Sequence, residues 1–269
     1  MSESLFDHTA SADATVSNDL RFSGVEALYG RDNFAKITAS SVCIVGLGGV
    51  GSWCAEACAR SGIGNITLVD LDDVCVTNIN RQVQALSSTV GFSKCRSLGQ
   101  RIRDISPNCN LRLIEQFVTE RSLSEVLSHR YDVVIDAIDS AKYKAALIAE
   151  CVSRGTKIVT VGSGGDRIDP SRIVVADLAK TEYDALLQIV RKRLRQRYGF
   201  PRGERRLFGV SSVYAPLQRG PRRRLSNECH DSPSSPRKTC NDGLGSAVFM
   251  TGTMGFIAVG EALRIITKR

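Results

Sequence analysis

The feature that most restricts the fold lies between Val42 and Ser61. A short β-rich run, Val42 to Gly46, enters a turn with glycine at 46, 48, 49 and 51, and a run with helical spacing follows from Ser52. The turn satisfies G-x-G-x-x-G at Gly46, Gly48 and Gly51. In a strand–turn–helix unit each glycine has a reason. Gly46 permits the tight turn, Gly48 lets the backbone approach a phosphate, and Gly51 lets the helix pack close to its strand. The N–H groups and dipole at the start of that helix favour an anion. A second strand, Ile66 to Asp70, ends in a carboxylate 24 residues after Gly46, where an acid meets a ribose hydroxyl. These residues point to a nucleotide without separating a nicotinamide cofactor from ATP.

The rest of the first half repeats the unit. Residues 93–105 predict an amphipathic helix, 111–114 a strand, 123–128 a helix, 131–136 a strand, 141–153 a helix and 157–161 a strand. That alternation implies a parallel sheet covered on both faces. After Gly165 the pattern changes, with strands over 172–177 and 207–214, a helix over 182–197 and a closing helix over 244–267. The expected fold class is therefore α/β, a Rossmann-like parallel sheet in the first half extended by further strands in the second. Residues 1–18 are polar and aperiodic and are expected to form a disordered tail. At roughly 150 residues per domain, residues 19–269 are expected as one domain. Its nucleotide-binding half is 19–165, and 166–269 is a substrate and dimer half. Residues 216–243 hold four of the seven prolines and are expected as a mobile loop.

The segment after the second strand separates the nucleotide chemistries. Asp70, Asp72, Asp73, Asn78, Asn80, Arg81 and Gln82 follow one another just past the strand end, where ligands sit in such sheets. Arg81 suits a bidentate phosphate contact. Lys94, at the start of the next helix, can join the same anion. Asp136 and Asp139 flank the end of the fourth strand, and a carboxylate there can hold Mg²⁺ against a triphosphate. Asp136 has a ready alternative as a turn cap, so Asp139 is preferred. Two cations and a spare carboxylate suit a reaction in which a nucleophile attacks the α-phosphate and pyrophosphate leaves. A dehydrogenase has no use for them. A non-catalytic nucleotide sensor would keep the glycine turn and tolerate the loss of Asp139.

Charge points to a second partner. The formal net charge is +8, yet residues 191–224 hold twelve Lys and Arg against one acid, Glu204. A nearly neutral body thus carries one strongly basic segment, which suits a polyanion. Arg191, Lys192, Arg193, Arg195, Arg222, Arg223 and Arg224 are the expected nucleic-acid contacts. The nine cysteines form no C-x-x-C pair and mostly lie in apolar stretches. They read as reduced, buried residues of a cytoplasmic protein, against a four-cysteine zinc site. The first 20 residues contain no Lys or Arg, so a secretory signal or organelle presequence is not expected. Gly243 to Gly260 lacks Lys, Arg, Asp and Glu but holds five glycines. It is expected as a helix packed closely through small residues, with no stable membrane insertion. Trp53 is expected to pack instead of stacking on adenine.

In sum of motifs, Gly46 to Ser52, Asp70 and Asp72, Asn78 to Gln82, Lys94 and Asp139 resemble the ThiF-type family of ubiquitin-activating-like adenylating enzymes. Within it the chain is most similar to the branch that dehydrates threonylcarbamoyladenosine in tRNA. That similarity rests on Arg21 to Gly30, Gly48 to Trp53, Asp72 to Asn78, Ile135 to Ser140, Ile168 to Pro170, Asp177 to Thr181 and Cys240 to Gly245. The resemblance implies that Asp72, Asn80 and Arg81 hold ATP, Lys94 the phosphates, Asp139 Mg²⁺ and Asp70 the ribose. Arg81, Lys94 and Asp139 are then the catalytic set. It implies activation of the threonyl carboxylate as an acyl-adenylate, ring closure, tRNA as substrate, a homodimer and association with a cysteine desulfurase system. Cys240 is expected to line the substrate or serve structure, since ring closure needs no covalent carrier. Sulfur-carrier-activating relatives, the alternative, usually hold zinc with two C-x-x-C pairs that this chain lacks. Many relatives also reach across the dimer with the second arginine of R-x-x-R-Q. Gly24 occupies that place here, leaving Arg21 or Arg31 to substitute.

Overall fold

A computed structural model describes residues 16–203, 206–217 and 245–268. Two helices, α1 (Val16–Tyr29) and α2 (Arg31–Ala39), precede the first strand. Helix α1 thus includes residues 16–18 of the stretch read as a tail, and the rest of that stretch lies outside the described residues. The nucleotide-binding pattern follows as β1 (Ser41–Val45), α3 (Gly51–Arg60), β2 (Asn65–Val69), α4 (Lys94–Ile105), β3 (Asn110–Ile114), α5 (Leu123–Val126), β4 (Val133–Asp136), α6 (Ala141–Ser153) and β5 (Lys157–Val161). The second half adds β6 (Val174–Asp177), α7 (Ala185–Arg197), β7 (Ser211–Tyr214) and α8 (Val248–Thr267).

The seven strands form one sheet in the order β3-β2-β1-β4-β5-β7-β6. All neighbours are parallel except the edge pair β6 and β7. Alternate residues of each central strand feed opposite faces. Ile44, Ile66 and Ile135 pack under α3, α4 and α8, whereas Cys43, Val45 and Val134 pack under α6 and α7. The register keeps the strand ends level, with Val45 opposite both Val69 and Asp136. Gly46, Asp70 and Ala137 therefore leave the sheet side by side. The strand order reverses between β1 and β4, which makes this the ligand crevice of an open α/β sheet.

Capping explains the boundaries that moved. The Asp177 carboxylate accepts from the backbone N–H of Phe208, Gly209 and Val210, which turns them out of the ladder and delays β7 to Ser211. Asp184 accepts from Leu187 N–H at 3.0 Å, so α7 starts at Ala185. Helix α8 is long and apolar enough to cross a membrane, but over half of its most apolar window is buried within the fold. Its glycines let it lie directly on α3. A Cβ at Gly255 would come within 2.9 Å of the Val50 carbonyl, and one at Gly252 would touch the Trp53 ring at 3.7 Å.

Candidate active site

The glycine turn has the geometry its spacing demands. Gly46 has φ of +87°, and a Cβ there would meet the Ala137 carbonyl oxygen at 3.0 Å. A Cβ at Gly51 would sit 1.7 Å from the Gly46 carbonyl oxygen, so strand and helix close on each other only without a side chain. Gly49 lies under Thr251 and the Arg81 stem. Gly48 differs. A Cβ there would meet nothing within 4 Å, so this position opens onto the crevice. The first turn of α3 has no side-chain cap, which leaves its N-terminus to an incoming anion. Ser52, the second residue of α3, is fully buried, and its hydroxyl lacks a hydrogen-bond partner among the described residues.

The carboxylates past β2 divide their work. Asp70 accepts from Leu47 N–H at 2.6 Å and from Asp72 N–H at 2.8 Å, which ties the glycine turn to the end of β2. Burial raises the pKa of Asp70, while the nearby Lys94 ammonium and the two N–H donors oppose that rise. Lys94 is nearly buried and reaches Asp72 at 2.9 Å, with Asp72 half exposed. Lys94 N–H also donates to the Asp72 carbonyl at 3.0 Å. The two residues assigned separately to ATP and to phosphate are thus one ion pair at the mouth of the crevice.

Arg81 lies over the turn. Its Nη1 donates to the Thr77 carbonyl at 2.7 Å and to Asn80 Oδ1 at 3.0 Å, and its other guanidinium nitrogens donate to no group among the described residues. Its own carbonyl accepts from Trp53 Nε1 at 3.0 Å and from the Thr251 hydroxyl at 3.4 Å. Trp53 also stacks edge-on against Phe256, so its role is packing. Asn80 Nδ2 donates to the Ser246 carbonyl at 2.7 Å. The amide of Asn80 therefore joins the Arg81 loop to the chain entering α8.

Asp136 and Asp139 separate cleanly. Asp136 and Lys144 are both fully buried and pair at 2.9 Å. Asp136 also accepts from the Thr160 hydroxyl at 2.7 Å and from Ile138 N–H at 3.1 Å, and Lys144 donates to its carbonyl at 3.1 Å. Asp139, three residues on, is exposed and makes no hydrogen bond or ion pair among the described residues. Asp139 is the carboxylate with lone pairs to spare. No group of three or more His, Cys, Asp or Glu side chains with metal-ligand placement occurs among the described residues. A divalent ion here would take one carboxylate, with phosphate and water oxygens completing its shell, the arrangement Mg²⁺ prefers.

Two features escaped the sequence reading. Gln84 is buried and donates to the Leu47 carbonyl at 3.2 Å and to Gln82 Oε1 at 2.9 Å, bracing the glycine turn from behind. Its only sequence signal is its place two residues beyond Gln82. The Lys144 partner of Asp136 was also missed, because a lysine inside a helix reads as solvated.

Part of the basic segment lies within the described residues. Arg191, Lys192, Arg193 and Arg195 lie on α7. Arg191 is committed to the Thr181 carbonyl and hydroxyl. Arg222, Arg223, Arg224 and Cys240 lie outside the described residues. Arg31 pairs with Glu26 at 3.7 Å, and Arg21 lines a cavity of about 480 Å³ with Arg60 and Arg101, beyond the end of α3 far from the glycine turn.

Fold and crevice together define an α/β protein of the open, mostly parallel nucleotide-binding class, with its crevice at the switch point. The chain belongs to the ThiF family, whose model matches residues 23–269. It is 41% identical over 259 residues to a tRNA threonylcarbamoyladenosine dehydratase of Haemophilus influenzae, covering 95% of this chain and 97% of that one. It is 42% identical to the protein of the same name from Escherichia coli, covering 91% and 92%. A crystal structure of the E. coli enzyme in complex with ATP superimposes with a TM-score of 0.83 at 39% identity, covering 97% of this chain and 98% of that chain.

Proposed function

We infer that this chain is an ATP-dependent tRNA threonylcarbamoyladenosine dehydratase. The observation that carries the reading is the level exit of Gly46, Asp70 and Ala137 from the sheet. On this reading the uncapped N-terminus of α3, the Arg81 guanidinium, the Lys94–Asp72 pair and Asp139, which has no bonded partner among the described residues, share one crevice. Similarity to proteins of that name over 91–95% of the chain supports the substrate.

ATP fits with its phosphates against Gly48 and the start of α3, where backbone N–H groups and the helix dipole neutralise charge. Arg81 and Lys94 add cationic donors whose contribution grows as pyrophosphate develops charge. Asp70 would take the ribose, and Asp72 would help Arg81 hold ATP. Asp139 would hold Mg²⁺, which supplies charge neutralisation to the polyphosphate. The threonyl carboxylate attacks the α-phosphorus and pyrophosphate leaves. A nucleophilic atom of the same modification then attacks the activated carbonyl carbon and closes the ring, and AMP departs with the carboxylate oxygen. The modification thereby loses one water overall. A homodimer working in the cytoplasm, with a cysteine desulfurase system as partner, completes the reading. The test is exchange of labelled pyrophosphate into ATP. Exchange that requires tRNA bearing threonylcarbamoyladenosine supports it. Exchange driven only by a carrier protein ending in Gly-Gly overturns it.

A further inference from the structure

Helix α7 buries Leu187, Val190 and Leu194 and turns a basic stripe outward. Between Ala185 and Arg197 it carries five Arg or Lys and no acid. Gln188, Arg191, Lys192, Arg195 and Gln196 follow the i, i+3, i+4, i+7, i+8 spacing of one helix face. With Ile189 and with Arg202 from the following turn, they line an open groove of about 650 Å³. The cations are of two kinds. Arg191 is bonded to Thr181, and Arg195 is held by the Pro201 carbonyl at 3.3 Å and by the Phe208 ring, 5.2 Å from its centroid. Lys192 and Arg202 are exposed and have no hydrogen bond or ion pair among the described residues.

With no acid among its described lining residues, a groove walled by four cations is repulsive until an anion enters it. Its pre-positioned arginines lose little side-chain freedom on binding. Among its described lining residues Ile189 is the one apolar side chain, so they form no aromatic or aliphatic pocket of the kind that anchors a protein partner. Its orientation narrows the ligand further. The N-cap of α7, Asp184, accepts from Ser163 N–H just past β5, at the sheet edge where the crevice opens. The groove then runs away from that edge over about 12 Å of helix from Gln188 to Gln196. A nucleoside in the crevice does not extend along it, whereas a polynucleotide strand does.

We propose that this groove holds backbone phosphates of the RNA strand beside the modified base. This rests on tRNA being the substrate. The test is a tRNA-binding salt series on wild type and on the Lys192→Gln/Arg202→Gln double variant, each also assayed for conversion of the modified tRNA. Circular dichroism and ATP affinity check folding. Two lost phosphate contacts should lower the slope of log affinity against log salt by roughly 1.4 to 1.8. They should also raise the KM for tRNA at least about tenfold, with a smaller effect on kcat. A wild-type slope and KM in the double variant would overturn the groove assignment while leaving the dehydratase reading intact. Failure of wild type to bind and convert the modified tRNA would overturn that reading, and the groove assignment with it. Lost binding of polyglutamate with unchanged binding of tRNA would assign the groove to an acidic protein and overturn the proposal.

Discussion

Replacing Lys144 with methionine removes one charge and keeps nearly all of the side-chain volume. It strands the Asp136 carboxylate in a site with no solvent exposure. Asp136 would keep its bonds from Ile138 N–H and the Thr160 hydroxyl but lose its counter-ion. Breaking one side of a buried pair costs about 3–5 kcal/mol. That is a large share of the roughly 5–15 kcal/mol that stabilises a domain. At about 2–4 °C per kcal/mol for a chain of this size, the melting temperature should fall by roughly 6–20 °C. The second arm is the double variant Asp136→Asn/Lys144→Met. An asparagine amide can still accept from Ile138 N–H and can donate to the Thr160 hydroxyl. The double variant should therefore be more stable than the Lys144→Met single by about 1–3 kcal/mol. Urea denaturation of wild type, both singles and the double gives the coupling energy directly. A Lys144→Met cost below about 1 kcal/mol, or strictly additive effects, would refute the claim that this pair holds the β4–α6 turn. The turn matters because it presents Asp139. If Asp139 holds Mg²⁺ as proposed, Lys144→Met should also raise the Mg²⁺ concentration needed for half-maximal pyrophosphate exchange at temperatures where the variant is folded.

The glycine turn allows a sharper separation of stability from binding. Gly48→Ala should shift stability by less than about 1 kcal/mol and lower ATP affinity at least about tenfold, whereas Gly51→Ala, with its Cβ 1.7 Å from the Gly46 carbonyl oxygen, should unfold or displace the turn. Calorimetry with ATP checks both, and an unstable Gly48→Ala protein would contradict the open crevice. Glu56 is held below the ordinary carboxylate range because hydrogen bonds and charge from Arg101 and Arg60 outweigh the desolvation that burial imposes. Its contribution is present above the unfolded carboxyl pKa of about 4.3 and is lost as pH falls through the lower folded value. Glu56→Gln should therefore cost about 1.5–3 kcal/mol at pH 7, a cost that disappears in acid. Equal losses at both ends of a pH series of denaturation midpoints would contradict the pairing. Burial pushes the Cys43, Cys54 and Cys95 thiols up to about 12, whereas Cys75 is exposed. Brief alkylation of the native protein followed by peptide mass spectrometry should label Cys75 and spare those three.

Much of the fold was legible because its signals are local. The strand and helix periods, the glycine turn and the acid closing β2 all follow from short-range geometry, and they locate the crevice. The antiparallel setting of β6 was not legible, since nothing in Val174–Asp177 encodes direction. The helices α1 and α2 were also missed, because their mean hydropathy is mixed and α1 has little one-sided patterning. At the site, residue identity was easier to read than allegiance. Asp72 and Lys94 were named separately and meet each other at 2.9 Å, a pairing across 22 residues that only the fold creates. Arg191 belongs by charge to the basic segment, but its position is fixed by Thr181, a contact the sequence does not announce. Lys144 and Gln84 were invisible for the converse reason, being polar residues that act from inside the core.

The most direct test of the account is nucleoside mass spectrometry on tRNA carrying threonylcarbamoyladenosine. The tRNA is incubated with ATP, Mg²⁺ and either wild-type protein or the Asp139→Ala variant. The account predicts that wild type lowers the mass of the modified nucleoside by one water and that the variant leaves it largely unchanged. An unchanged nucleoside with a wild-type protein shown to bind ATP would contradict it.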